Sequence, residues 1–203
     1  ELWNICQNPY TVMQFGFGFA YKGVERALDA IHYLKNSDPK FQNIFYFYLI
    51  SDNDFSNRHH LDYYNKLMKK VDELNLHHNV AMDRKYQKEE TLNLYHRLAK
   101  VAIIPYVNNP NNTVFGSSGA VRVALANKIP VITSESHLFD DLEGVVPRPA
   151  DHYELANQID EIFSNGVYRQ ELVEKGQAFV SENSWELVAT KYLNLYESVI
   201  SRP

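Results

Sequence analysis

Thr11-Val12-Met13-Gln14-Phe15-Gly16-Phe17-Gly18-Phe19-Ala20-Tyr21-Lys22-Gly23-Val24-Glu25-Arg26-Ala27-Leu28 runs from an apolar segment through a glycine-rich turn into a helical pattern. Thr11 to Phe15 predicts a strand, and beyond the turn Val24, Ala27, Leu28, Ile31 and Leu34 share one face of a helix. The alternation continues along the chain. Ile44 to Ile50, aromatic and aliphatic throughout, predicts a strand buried on both faces, ending in the turn-forming Ser51-Asp52-Asn53-Asp54. A polar helix from about His60 to Leu76 precedes a short strand, Val80 to Met82, and Glu89 to Lys100 predicts the next helix. Val101 to Ile104 predicts a strand closed by Pro105. Ser117-Ser118-Gly119 then opens a helix to Ala126, and Val131 to Thr133 predicts a further strand. The tail reads as helices over Tyr153 to Phe163, Arg169 to Gly176 and Trp185 to Ile200. Strands alternating with amphipathic helices place the chain in the α/β class, as a Rossmann-like parallel sheet with helices on both faces and further helices at the C-terminus. No repeat, low-complexity stretch or linker divides it, so residues 1–203 read as a single domain.

The bulk numbers agree with one large domain: 203 residues, 45% hydrophobic and 22% charged. A net charge of -5 gives no general attraction to nucleic acid or anionic membrane, though a local basic pocket remains open to phosphate. The single cysteine, Cys6, has no partner for an internal disulfide, which points to a reducing compartment and a cytoplasmic location. No apolar run approaches the roughly 20 residues of a membrane span, so any membrane contact is expected at the periphery, through a longer parent protein. The absence of an initial Met leaves such a parent open.

Sheets of this class bind ligands at the carboxyl ends of their strands, so the turns after strands are where chemistry is sought. In Gly16-Phe17-Gly18-Phe19-Ala20-Tyr21-Lys22-Gly23, glycines let backbone N–H groups approach an anion, the helix amino end favours negative charge, and Lys22 supplies a full cation. The dinucleotide fingerprint is absent, because Tyr21 stands where its third glycine belongs. The same residues also suit a plain strand-to-helix turn with a surface lysine. The second loop, Phe115-Gly116-Ser117-Ser118-Gly119-Ala120-Val121-Arg122, opens a helix with small side chains that expose its first N–H groups and with two hydroxyls able to meet phosphate oxygens. Ser117 or Ser118 could equally cap that helix, a role worth about 1 kcal/mol. A diphosphate fits between the two loops.

Four ordered segments resemble the C-terminal domain of GT-B fold, family-4-like glycosyltransferases, which include many retaining mannosyl-, glucosyl- and rhamnosyltransferases. Residues 15–28 resemble the family's first turn with its Lys-Gly pair. Residues 89–105 are similar to its helix, strand and proline before the donor loop; Ala124 to Ser134 resembles its helix-to-strand passage, and Ser184-Trp185-Glu186-Leu187-Val188-Ala189 its closing helix. The resemblance implies one half of a GT-B enzyme, a hexosyl- or deoxyhexosyltransferase, that binds a nucleoside diphosphate sugar as donor. Transfer would be to a glycan, lipid or polysaccharide acceptor held on an N-terminal domain that this chain lacks, so no turnover is expected of it alone. It implies no permanently bound cofactor and no metal. It assigns the donor to Gly16, Phe17, Gly18, Lys22, Ser117, Ser118, Gly119, Ala120, Val121 and Arg122, and gives Lys22 the catalytic task of stabilising the leaving diphosphate.

This chain also departs from the family. Phe17 occupies the place of an arginine five residues before the lysine, and Phe115 and Val123 occupy the places of two glutamates eight residues apart. Ser117, Ser118 and Arg122 are therefore candidates to take over anion contacts; in the first turn of its helix Arg122 is disfavoured by the dipole unless an anion faces it, and a plain surface arginine is the alternative. His59-His60 and His77-His78 read as solvated helix ends rather than metal ligands, Asp52 and Asp54 as turn formers, and Asp140 and Asp141 as solvent-facing. Trp185, Tyr192 and Tyr196 share a face that suits core or domain-interface packing better than a sugar platform. A degenerate, non-catalytic binding or scaffolding domain of the same fold is the main alternative, and an unrelated flavodoxin-like phosphate binder a third.

Overall fold

The computed structural model describes residues 8–50, 58–108 and 117–201; Cys6, Asp52, Asp54, Phe115 and Gly116 lie outside them. Five strands, β1 (Thr11–Gly16), β2 (Phe45–Ile50), β3 (Val80–Asp83), β4 (Val101–Ile103) and β5 (Val131–Ile132), form one sheet in the order β3-β2-β1-β4-β5. Every pairing is parallel, with Thr11 opposite Phe45, Val12 opposite Val101 and Ala102 opposite Val131. The helices are α1 (Val24–Ser37), α2 (Arg58–Glu73), α3 (Glu89–Leu98), α4 (Gly119–Ala126), α5 (His152–Ser164), α6 (Gly166–Glu182) and α7 (Trp185–Ile200). The Rossmann-like α/β architecture expected from the alternating pattern is thus the one observed.

Strand residues of alternate parity serve two separate cores, as a pleated sheet covered on both sides requires. Val12, Tyr46, Tyr48, Val101, Ile103 and Ile132 pack with residues of α1, α2 and α5. Met13, Phe47, Leu49, Ala102 and Val131 pack on the opposite side with α4 and with Leu138, Phe139 and Leu142, while Leu92, Tyr95 and Leu98 of α3 border them. Gly176 brings α6 so close to α4 that a Cβ there would lie 2.7 Å from Leu125 Cδ2.

Differences from the sequence reading are concentrated at element ends. The helix expected over Arg169 to Gly176 extends over Gly166–Glu182, because Asn165 caps it by accepting from the Tyr168 N–H at 3.1 Å. The helix expected to reach Leu76 stops at Glu73, since Asn75 turns left-handed with φ of 52°. Trp185 and Tyr192 are no part of either core: α7 has no buried residue, and Trp185 is 87% exposed.

The order of the strands reverses direction at β1, whose neighbours are β2 and β4, and it is beyond the carboxyl ends of such strands that sheets of this class hold ligands. Gly23 lies at this end. Its φ is 69°, and a Cβ on it would fall 1.9 Å from the carbonyl oxygen of Pro105, just past β4. Gly144, with φ of 75°, has open space where its Cβ would be. Gly23→Ala should therefore cost on the order of 3–5 kcal/mol of stability through combined backbone clash and left-handed strain, whereas Gly144→Ala should cost about 1 kcal/mol. Guanidinium unfolding midpoints of the two variants check this.

Candidate functional site

At the end of β1 the chain passes through Gly16, with φ of 141°, into a single 3₁₀ turn over Ala20–Lys22. Gln14, buried in β1, holds this turn: its Nε2 donates to the Lys22 carbonyl at 2.9 Å and its Oε1 accepts from the Tyr46 hydroxyl at 2.8 Å. The Tyr48 hydroxyl donates to the Phe17 carbonyl at 2.8 Å, and the Val107 N–H to the Tyr21 carbonyl at 2.8 Å. The loops after β1 and β4 are thus joined through their backbones.

Lys22 is folded inward, only 9% exposed. Its Nζ donates to the Tyr106 hydroxyl at 2.5 Å and lies 4.1 Å from the centre of that ring, and the Tyr106 hydroxyl is 3.0 Å from Ser118 Oγ. One chain of polar groups therefore runs from the glycine loop to the serine loop. Among the described residues no carboxylate pairs with Lys22, and burial lowers its pKa from the ordinary 10.5 to about 8. Burial raises the Tyr106 phenol to about 12, which keeps it protonated near neutral pH.

Ser118 stands at the N-cap of α4 with extended backbone, yet its side chain makes no capping bond. Its hydroxyl is engaged by Tyr106 instead, and the first N–H groups of α4 have no intrahelical acceptor. Ser117 is exposed beside it, and a Cβ on Gly119 would meet nothing within 4 Å, so the helix amino end faces open space. Ala120 and Val121 are buried and anchor this end in the core.

Arg122 has an anionic partner within the protein: its Nη2 donates to Asp141 Oδ2, and its guanidinium lies 5.5 Å from the Phe179 ring. Asp140 accepts from Arg148 at 2.9 Å. Both aspartates face solvent, as expected, and each also pairs with an arginine. Phe17 is 53% exposed; Phe19 beside it stacks on Tyr21 at 5.8 Å and meets the edge of His60 at 5.2 Å. Val123 is half-buried, and Phe115, Asp52 and Asp54 fall outside the described residues. His77 Nε2 lies 3.4 Å from Asp72, an exposed pairing. Gln14 and Tyr106 are the two residues the sequence reading did not single out. The signals available were a polar residue inside an apolar strand and a tyrosine directly after the proline that closes β4.

No family model matches the chain, and no curated protein matches it in sequence. Solved structures do share its fold. A UDP-forming α,α-trehalose-phosphate synthase from Burkholderia vietnamiensis matches 98% of the chain at 12% identity and a TM-score of 0.83. HepE of Anabaena, solved with UDP and glucose, matches 99% at 16% identity and a TM-score of 0.73. The chain spans 46% and 50% of those two structures' lengths. The C-terminal domain of a glycosyl transferase group 1 family protein from Francisella tularensis matches 86% of the chain, over 85% of its own length, at 15% identity and a TM-score of 0.64. The chain has the fold of the C-terminal half of a GT-B glycosyltransferase.

Proposed function

We propose that this chain is the donor-binding half of a glycosyltransferase, holding a nucleoside diphosphate sugar with its diphosphate between Lys22 and the amino end of α4. The observation that carries this reading is a buried ammonium with no described carboxylate beside it, linked through Tyr106 to Ser118 at the N-cap of α4, whose side chain makes no capping bond. An unpaired buried cation is costly, and a bound diphosphate supplies the missing charge. With Lys22 donating to Tyr106, the phenol proton can pass its hydrogen bond to Ser118, which frees the serine proton for a phosphate oxygen. During transfer the glycosyl bond to the diphosphate breaks and negative charge grows on the leaving oxygen. Lys22, the Ser118 hydroxyl and the α4 amides stabilise that charge without reorganising. Arg122, held by Asp141, contributes to the local field and steadies the start of α4.

We assign the acceptor to a separate N-terminal half, and catalysis to the cytoplasm because the single cysteine has no partner for an internal disulfide. Support for the missing half comes from α7, which exposes Trp185, Leu193, Tyr196 and Ile200. A helix that leaves its apolar face exposed favours a partner over that face.

Calorimetric titration with UDP, GDP, dTDP and ADP tests the donor site. One nucleotide should bind selectively, and Lys22→Ala should weaken it roughly 10- to 100-fold, the loss of a charge-assisted hydrogen bond. Absence of binding by the folded chain would favour a degenerate scaffold. Gly119→Val should leave the fold intact while abolishing nucleotide binding, because its side chain fills the space before the helix end; circular dichroism alongside titration separates the two effects.

The pH dependence has a definite sign. Free Lys22 loses its proton at about 8, and a bound diphosphate raises that value, so binding takes up a proton above pH 8 and weakens as pH rises further. Without ligand the trend reverses: the unfolded lysine keeps its proton up to 10.5, so Lys22 makes stability rise between pH 8 and 10.5. Nucleotide affinity measured from pH 7 to 9.5 should fall in the native chain and stay flat, at a lower level, in Lys22→Gln.

A further inference from the structure

At the opposite end of the sheet lies a cavity of about 600 Å³, bounded by Tyr10, Lys100 and Pro130, the residues directly before β1, β4 and β5. Its charged lining is of one sign. Arg97, Lys100, Lys128 and Arg169 border it, and no carboxylate does, in a chain whose net charge is -5. None of the four is in an ion pair with a described carboxylate. Lys100 and Lys128 follow the carboxyl ends of α3 and α4, whose dipoles favour cations there. Arg169 has the reverse setting, in the opening turns of α6, where a cation is disfavoured without an anion opposite. Lys128 is also in the left-handed region, with φ of 59°, a conformation in which a lysine is strained relative to glycine or asparagine. Four mutually repelling cations thus converge on one cavity, two of them at positions where local physics works against them.

We propose that this cavity is a second anion site, distinct from the Lys22 crevice, that takes a phosphate group carried by a soluble phosphoester or by a lipid headgroup. A dianionic phosphate offsets the repulsion among the cations, and the cavity walls concentrate their field on it. Tyr10 and Phe163, also in the lining, give the cavity an apolar side able to hold whatever bears the phosphate. The site does not depend on the donor reading, because it shares no residue with the glycine or serine loops.

Titration of the ¹⁵N-labelled chain with inorganic phosphate, followed by amide shifts, resolves the two sites. Saturable shifts are expected at Asn127, Lys128, Lys100 and Arg169, whether or not Gly119 and Ala120 respond. Lys100→Gln combined with Lys128→Asn should weaken them at least 10-fold; both positions are exposed, and asparagine suits the left-handed backbone. Arg97→Gln is a second, independent variant that should weaken them less. No saturable shift in this cluster, or equal shifts in the double variant, overturns the proposal. Sedimentation with phosphatidylglycerol and phosphatidylcholine vesicles then separates the sources. Binding to the anionic vesicles alone, lost in the double variant, assigns the phosphate to a lipid headgroup, and its absence alongside phosphate binding assigns it to a soluble phosphoester.

Discussion

The approach of Gly23 to the carbonyl of Pro105 is the constraint on which the upper end of the molecule depends. Any side chain at residue 23 would overlap that oxygen, and the hydrogen bond from Val107 to Tyr21 closes the same seam from the other side. With the two loops joined there, the Lys22 side chain lies inward against Tyr106, and a buried polar chain runs from Lys22 through Tyr106 to Ser118. Gln14 makes the arrangement rigid from below, since one amide fixes both the Lys22 carbonyl and the Tyr46 hydroxyl within the core.

That rigidity has an electrostatic cost. A desolvated ammonium is offset here only by a phenol oxygen and the face of an aromatic ring, both weaker partners than a carboxylate. The cost shows in the lysine pKa, which burial lowers to about 8. The cation without a described carboxylate and the N-cap serine without a capping bond are deficits of the same sign, which is why the proposed donor site answers both with one anion.

Much of this was legible in the sequence because the deciding signals are local. The jump from apolar Thr11–Phe15 to helical spacing at Val24, and the unbroken apolar run ending at Ile50, specify parallel strands regardless of context. What was not legible depends on distance along the chain. Tyr106 matters only because residue 22 reaches it from 84 positions away, a contact that its place directly after Pro105 does not disclose. The fate of Arg122 likewise turned on Asp141, 19 residues on. Helix ends failed for a different reason: Asn165 and Asn75 are both turn-forming residues, but one starts a helix and the other stops one, and composition does not tell them apart.

Charge placement connects the two ends of the sheet. Two groups of cations without a described carboxylate partner lie at opposite ends of the sheet: one buried lysine at the carboxyl ends of β1 and β4, and four surface cations at the amino ends of β1, β4 and β5. The two groups work by different physics. In the proposed donor site, Lys22 is a single charge strengthened by its buried setting, suited to the charge that grows on a leaving diphosphate. The four cations around the lower cavity are individually screened by water and act by their number, which suits holding an anionic group in place but not acting on a reacting bond. Taken together, the two proposals give the same parallel sheet a site for chemistry beyond the carboxyl ends of its strands and a site for anchoring at their amino ends, with β1 and β4 common to both.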